Sequence, residues 1–459
     1  MDSSATADSG SAAEPSPGVL RRAISASAIG NATEWFDYGV YAYVAAEIAQ
    51  NFFPGPHAIL ATLLVFAVSF VLRPLGGIVW GPLGDRLGRQ KILAATIILM
   101  AGATFCVGLI PDFSTIGIWA PILLIALRVV QGFSTGGEYG GAATFMAEYS
   151  PDKRRGFFGS FLEFGTLAGF TGAILVVAAT EAIIGSAAMS EWGWRIPFLI
   201  AGPLGLVGLY LRLRLEDTPV FRDLEASGEV EQETKTQFKD LLGQYWRPLL
   251  LLGGLVVTLN VSNYTLLAYM PTYLQRTIGM SSTSTNTLIV IGQLSMMAVI
   301  PFAGMLSDRI GRKPVWWISI GGLFVLAAPM FALMAQGFAL AIVGFTVLGL
   351  VYVLQLGTIS ATFPAMFPSH VRYAGFAIAY NISTAAFGGT APAVNAALVG
   401  ATGSNLMPAF YLMAACVVGA VALYFVPETA GASLRGRGVP GVISRPSGRR
   451  PGGSRPAQA

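Results

Sequence analysis

GPLGDRLGR at 81–89 and GMLSDRIGR at 304–312 are one segment written twice: Gly81, Leu83, Asp85, Arg86, Gly88 and Arg89 recur as Gly304, Leu306, Asp308, Arg309, Gly311 and Arg312 at a constant offset. Six identities at fixed spacing mark an internal duplication. Each copy follows a long apolar run, so the duplicated unit contains membrane-length segments. A weaker echo pairs Pro151 and Arg155 in SPDKRRG with Pro368 and Arg372 in PSHVRYAG. Loops of this composition suit a gate, because Asp85 and Asp308 can meet arginines or a neighbouring helix terminus while the glycines let helix ends approach.

Outward from those loops the chain is apolar. Of its 459 residues 54% are hydrophobic and only 11% charged, and the mean hydropathy is +0.63, which excludes an ordinary soluble domain of this length. A helix needs about 20 apolar residues to cross a bilayer core of roughly 30 Å. Twelve such runs are expected, near 24–48, 58–82, 92–110, 116–145, 157–184, 194–212, 248–274, 284–306, 314–335, 338–366, 373–400 and 407–427. They are too long and continuous for the strands of a membrane barrel. The first 23 residues carry no apolar core of a cleavable signal, so the first span itself is expected to direct insertion. Of 28 Lys and Arg, all but Arg73, Arg128, Arg195 and Arg276 fall in the termini or in the loops after even-numbered spans. Since basic residues collect in cytoplasmic loops, both termini are expected on the cytoplasmic side of the membrane. Cys106 and Cys416 fall inside spans and are expected as free thiols.

The charged stretch around 213–247 divides the chain into a cytoplasmic segment 1–23, a six-helix bundle 24–212, a linker, a second bundle 248–427 and a basic tail 428–459. Same-direction repeats of six spans are the pattern of a secondary transporter whose two bundles enclose a site near mid-membrane. The loop Gly-x-Leu-x-Asp-Arg-x-Gly-Arg resembles the signature of the major facilitator superfamily. GNATEWFDYG, FVLRPLGG, QGFSTGGEYGGA, MAEYSPDKRRGFFGS, WGWRIPF and PAMFPSHVRYAG resemble its metabolite:proton symporter branch, and within it the carriers of proline and glycine betaine, over about residues 26 to 428. The resemblance implies proton symport of a compatible solute by alternating access, in a transporter that is no enzyme. Two alternatives remain at this level: symport of an organic acid such as 2-oxoglutarate, citrate or shikimate, and a transport-inactive sensor of the same fold.

Ionisable groups inside a membrane are costly and ask for a partner or a task. Glu34, Asp37, Glu138 and Glu163 are the candidate proton-coupling acids, with Arg73 and Arg128 the cations that could instead pair with them permanently. At 100° per residue Asn31, Glu34, Asp37, Tyr38 and Tyr41 share an arc of about 120°, and Arg128, Gln131, Thr135, Glu138 and Tyr139 one of about 100°, so both stripes are expected to face protein. Arg128 and Glu138 stand about 15 Å apart along their helix, too far for a direct pair within it. The Arg128 guanidinium suits a substrate carboxylate. Arg73, beside Pro74 and the Gly76–Gly77 pair, fits a structural or gating role better, and Arg155 and Arg372 join the gate through the second echo. Trp35, Tyr38, Tyr41, Tyr139, Tyr264 and Tyr380 could hold a quaternary ammonium by cation–π attraction, or simply pack. Gln131, Asn263 and Asn381 complete the candidate substrate contacts.

The glycines of GEYGGAA with Gly165 and Gly169 are expected to permit close helix packing. No Walker-type loop is present, so neither ATP nor nucleic acid is an expected partner, and no cofactor or metal is expected. His57 and His370 fall in loops on opposite sides. The expected partners are a small zwitterionic or anionic metabolite, protons and membrane lipids, with the arginine-rich tail suited to anionic headgroups at the cytoplasmic face. Some members of the resembled branch carry a C-terminal coiled coil implicated in osmotic regulation; this tail has no heptads.

Overall fold

Lipid offers a backbone amide no partner except its own chain, so apolar runs of this length become helices. The computed structural model describes the backbone of residues 17–87, 89–136, 138–213, 241, 243–368 and 371–434; side chains at 17, 19–23, 26, 81–82, 84–93, 138, 145, 149 and 211–213 are outside the description. Twelve helical spans follow one another among these residues. They are α1 (Pro17–Tyr43), α2 (Ala58–Val71 continuing as Arg73–Leu87), α3 (Arg89–Val107), α4 (Trp119–Thr135 continuing as Glu138–Tyr149), α5 (Arg155–Ile184) and α6 (Arg195–Leu213). The second set is α7 (Trp246–Asn263, running on to Thr277), α8 (Ser282–Ile310), α9 (Arg312–Met334), α10 (Phe338–Leu356, extending to Thr362), α11 (Arg372–Ser383 and Ala391–Thr402) and α12 (Met407–Phe425). No strand occurs among the described residues.

Nine of these are long and apolar enough on their own to cross a bilayer, and the bent pair Ser186–Gly193 with Arg195–Tyr210 makes a tenth. The other two are α1, whose polar stripe lowers its hydropathy, and α3, of which Ala94–Val107 is the apolar part among the fully described residues. The boundaries of α1 differ from expectation. Its described part begins at Pro17. It breaks at Val44, where φ −107° and ψ 22° leave the helix, and Ala45–Phe52 forms a separate helix where one run to 48 was expected.

Small residues set the distances between helices. α1 lies along α5, and a side chain at Gly165 or Gly169 would stand 2.3 Å from Ala28 O or 2.5 Å from Ala32 O. α2 and α4 touch backbone to backbone: a Cβ at Gly132 would be 1.9 Å from Ser69 O, at Gly136 2.0 Å from Arg73 O, and at Gly76 2.0 Å from Phe133 O. Backbone oxygens cannot rotate away, so Gly132→Val is expected to cost about 3 kcal/mol, the upper part of the overpacking range, measured as a lowered thermal midpoint of the purified protein. An unchanged midpoint would refute that contact.

The seam between the sets is formed by α5 against α8, α4 against the end of α10 and the start of α11, and α2 against the middle of α11. Where α5 meets α8, Gly156 and Gly304 face each other so closely that a Cβ on either would fall 2.4 or 2.3 Å from the other's carbonyl oxygen. Two stretches facing this seam, Tyr264–Tyr269 in α7 and Thr384–Gly388 in α11, are wound as π-helix, as is Tyr273–Thr277 further along α7, a form that concentrates at functional sites.

Candidate functional site

The buried charges resolve into three clusters. In the first, Glu34 of α1 and Arg73 of α2 form an ion pair with side chains 4% and 1% exposed. Arg73 Nε also donates to Thr135 Oγ1 at 3.1 Å. Its guanidinium carbon lies 5.1 Å from the Tyr38 ring and 5.2 Å from Phe70, and the Tyr38 hydroxyl shares a 3.2 Å bond with Thr135.

The second cluster lies wholly within the first six spans. Asp37 accepts from Thr104 Oγ1 of α3 at 2.8 Å, Gln131 Nε2 donates to the same hydroxyl at 2.5 Å, and Arg128 Nη1 donates to Gln131 Oε1 at 2.8 Å. The Arg128 guanidinium sits 3.5 Å above the Tyr41 ring, and Tyr41 is held by its bond to Thr62 O at 2.9 Å. Among the described residues Arg128 Nε and Nη2 meet no hydrogen-bond acceptor. Thr104 and Gln131 therefore link the Asp37 carboxylate to the arginine.

The third cluster reaches the seam. Glu163 of α5 accepts from the Tyr139 hydroxyl and, at 3.0 Å, from Thr166 Oγ1. Asn31 Nδ2 donates to Thr166 Oγ1 at 2.7 Å, and Trp35 Nε1 to Asn31 Oδ1 at 3.1 Å. From the second set of helices, Tyr380 stacks on Tyr139 with centroids 4.5 Å apart, and Tyr264 approaches Trp35 at 6.1 Å. A cavity of about 10 Å³ opens here, lined by Trp35, Glu163, Asn260, Asn263, Tyr352 and Tyr380 among others. It has room for about one water molecule, so the site is closed around its own side chains. Tyr352 donates to Asn263 Oδ1 at 2.8 Å, and Asn260 Nδ2 to Thr384 Oγ1 at 2.9 Å.

The gate candidates gather at one end of the seam. Asp308 accepts from the backbone amides of Gly156 and Phe157 at 2.9 and 2.8 Å, at the first turn of α5, and from Arg312 at 2.6 Å. Arg372 pairs with Glu148 of α4 at 2.8 Å and donates to Leu434 O, while Arg155 pairs with Asp152 and donates to Ala432 O. Asn381 crosses the seam to Gly136 O at 3.0 Å and is not among the residues lining the cavity. Gly311 adopts φ +105° at the turn between α8 and α9, beside Glu428, and Arg309 is exposed. Of the first copy, Gly88 lies outside the described residues, and nothing beyond the backbone of Gly81, Asp85, Arg86 and Arg89, or of Glu138, is described.

Residues 27–391 and 261–452 each match the Major Facilitator Superfamily. The chain belongs to that superfamily. It is similar to the "Proline/betaine transporter" of Escherichia coli (strain K12), 47% identical over 429 residues that cover 91% of this chain and 86% of that one. It is 46% identical over 435 residues to the "Glycine betaine/proline/ectoine/pipecolic acid transporter OusA" of Dickeya dadantii, covering 91% and 85%, and 40% identical over 435 residues to the "Ectoine/proline transporter ProP" of Corynebacterium glutamicum, covering 92% and 86%. Its fold is that of the proton:xylose symporter XylE bound to 6-bromo-6-deoxy-D-glucose, with a TM-score of 0.70 at 18% identity over 91% of this chain and 98% of that one. Another superfamily structure, the partially occluded inward open XylE from E. coli, gives 0.69 at 18% identity over 91% and 100%.

In this superfamily member Trp35, Glu163, Asn263 and Tyr380 come together at one cavity, with Tyr139 and Tyr264 in contact behind them. Arg128, Gln131 and Tyr41 do not line it; they surround Asp37 instead. Sequence reasoning passed over Thr104, Thr166 and Tyr352, whose hydroxyls orient the acids and amides, because a threonine or tyrosine in a span carries no signal of its own. It also passed over Glu47 and Glu181, which are acids inside the expected first and fifth spans and so were detectable by the same rule that found Glu163.

Proposed function

We propose that this transporter imports a small zwitterionic osmolyte of the proline or glycine betaine type together with protons. The observation that carries the reading is the composition of the seam cavity: one carboxyl, several aromatic faces and two amides, with no Lys or Arg in its lining. A cationic head that donates few or no hydrogen bonds is stabilised by Glu163 and by the faces of Trp35 and Tyr380. A solute carboxylate is met by the amides of Asn260 and Asn263. The names of the relatives agree with this chemistry.

The halves 24–212 and 248–427 rock about the cavity, joined by the linker 213–247, and the repeat-loop end is cytoplasmic by its arginines and lysines, as are both termini, in a bacterial inner membrane. The basic tail suits anionic lipid headgroups on that face. Glu163 is the coupling acid in contact with the solute site; Asp37 is a second protonatable group whose charge is governed by Arg128 through Gln131 and Thr104. Glu34 is the counter-ion of Arg73.

The organic-acid reading is weaker, since a dianion calls for cations in the cavity and both intramembrane arginines are engaged elsewhere. Uptake of labelled proline and glycine betaine into proteoliposomes tests the proposal. Accumulation is expected only with an inward proton gradient and is expected to resist competition by dicarboxylates. Gradient-independent uptake would remove proton coupling, competition by dicarboxylates alone would move the solute to organic acids, and absence of all transport would leave a sensor.

A further inference from the structure

Arg155 and Arg372, the arginines of the second echo, make the same contact in each half. Each donates from Nε to the carbonyl oxygen eight residues before it, Arg155 to Ala147 O at 3.0 Å and Arg372 to Pro364 O at 3.1 Å. Both side chains are buried, at 1% and 2% exposure. Each guanidinium is thereby fixed in its own half with further N–H groups to place, and both reach one short piece of chain. Arg155 Nη1 donates to Ala432 O at 3.1 Å, and Arg372 Nη2 to Leu434 O at 2.7 Å. The Leu434 side chain, 5% exposed, is buried in a small apolar cluster with Ala147, near the end of α4, and Ala365, just beyond α10.

The segment reaches this place from the second half. Glu428, just after α12, accepts from the Arg312 and Lys313 amides in the first turn of α9 at 3.0 and 2.9 Å. Thr429 O then accepts from Ala432 N at 3.2 Å, closing a turn with Gly431 at φ +71°, a conformation glycine adopts without strain. The chain is anchored on α9 and turned toward the other half. We propose that Glu428–Leu434 is a strap holding the repeat-loop end of the seam shut, because it can engage Arg155 and Ala147 of one half and Arg372 and Ala365 of the other only while the halves are together. Contacts made in one of two states bias the equilibrium toward that state by their own free energy. A guanidinium donating to a carbonyl is among the stronger hydrogen bonds available for this. When that end opens, the strap leaves Arg155 and Ala147 and stays with the second half. The inference rests on alternating access, and not on which solute is carried or which acid carries the coupled proton.

The test reads this end of the seam without solute. In the full chain with Cys106 and Cys416 replaced by Ser, spin labels on cysteines introduced at Lys153 and Ile310, both exposed and one in each half, report the separation of the halves. Leu434→Asp removes the apolar anchor and is expected to raise the ratio of long to short distances about tenfold, the lower end of what burying one leucine side chain supplies. Leu434→Ala is expected to shift the ratio the same way by a smaller factor, and Leu434→Met, which conserves volume, to keep the native ratio. A label at Ser433, exposed on the segment, follows the strap itself. Asp308→Asn weakens the hold of α8 on the Gly156 and Phe157 amides and so populates the open end. In that background the Ser433–Lys153 distance is expected to lengthen while the Ser433–Ile310 distance stays short. Native ratios in both Leu434→Asp and Leu434→Ala, or a Ser433 label that keeps its distance from Lys153 when the end is open, would overturn the proposal. Because no solute is added, these outcomes are separate from any failure of the osmolyte reading.

Discussion

Glu163→Gln is expected to abolish proton-driven accumulation while leaving exchange of solute for solute intact. The amide keeps the size of the carboxyl; its oxygen can still accept from one of the Tyr139 and Thr166 hydroxyls, and its NH2 can donate to the other, so the bonds of Asn31 to Thr166 and of Trp35 to Asn31 stay available. What disappears is a group able to gain and lose a proton at the proposed solute site. One coupled proton moving down a pH gradient of about one unit supplies about 1.4 kcal/mol, a tenfold accumulation. The variant should therefore fall from about tenfold to about onefold accumulation in proteoliposomes, with counterflow of preloaded solute unchanged. Normal accumulation by Glu163→Gln would transfer the coupling role to Asp37, and Asp37→Asn would then be the variant that fails.

Arg73→Met is expected to produce the largest loss of stability. The side chain is of similar length and apolar, but it leaves Glu34 buried opposite Tyr38 and Phe70 without its cation. Removing one partner of a buried ion pair costs about 3–5 kcal/mol, because the remaining charge keeps its desolvation penalty. The double variant Arg73→Met with Glu34→Gln is expected to recover most of that loss, since it removes both charges. Thermal unfolding of the detergent-purified proteins measures this. A single variant as stable as the native chain, or a double variant no better than the single, would show that the pair does not hold α1 against α2.

The two variants separate roles that the sequence left together. Helical geometry put Asn31, Glu34, Asp37, Tyr38 and Tyr41 on one inward stripe of α1, and all five are buried. It could not divide the stripe, because the division depends on which neighbour stands opposite each position. Three residues apart on α1, Glu34 meets Arg73 of α2 and Asp37 meets Thr104 of α3. Asn31 turns to Thr166 of α5. Arg128 illustrates the same limit: its charge and burial suited a solute carboxylate, yet its ring partner is Tyr41 and its route to Asp37 runs through Gln131 and Thr104. The π-helical turns of α7 and α11 left no trace in periodicity either, since they shift the register by one residue only where they face the seam.

Sequence alone determined the class of molecule: apolar runs long enough to span lipid, their number, and a duplicated loop that makes two halves of one chain. Those properties are additive along the chain, because the bilayer acts on each segment separately through its length and hydropathy. The tertiary structure alone decided which acid faces the seam cavity, which is paired with an arginine, and that α5 and α8 meet across the seam with a carboxylate at each end. These depend on directional contacts between residues as far apart as Glu181 and Asn286, or Gly156 and Asp308, and hydrogen bonds across a seam are set by helix packing rather than by spacing within either helix.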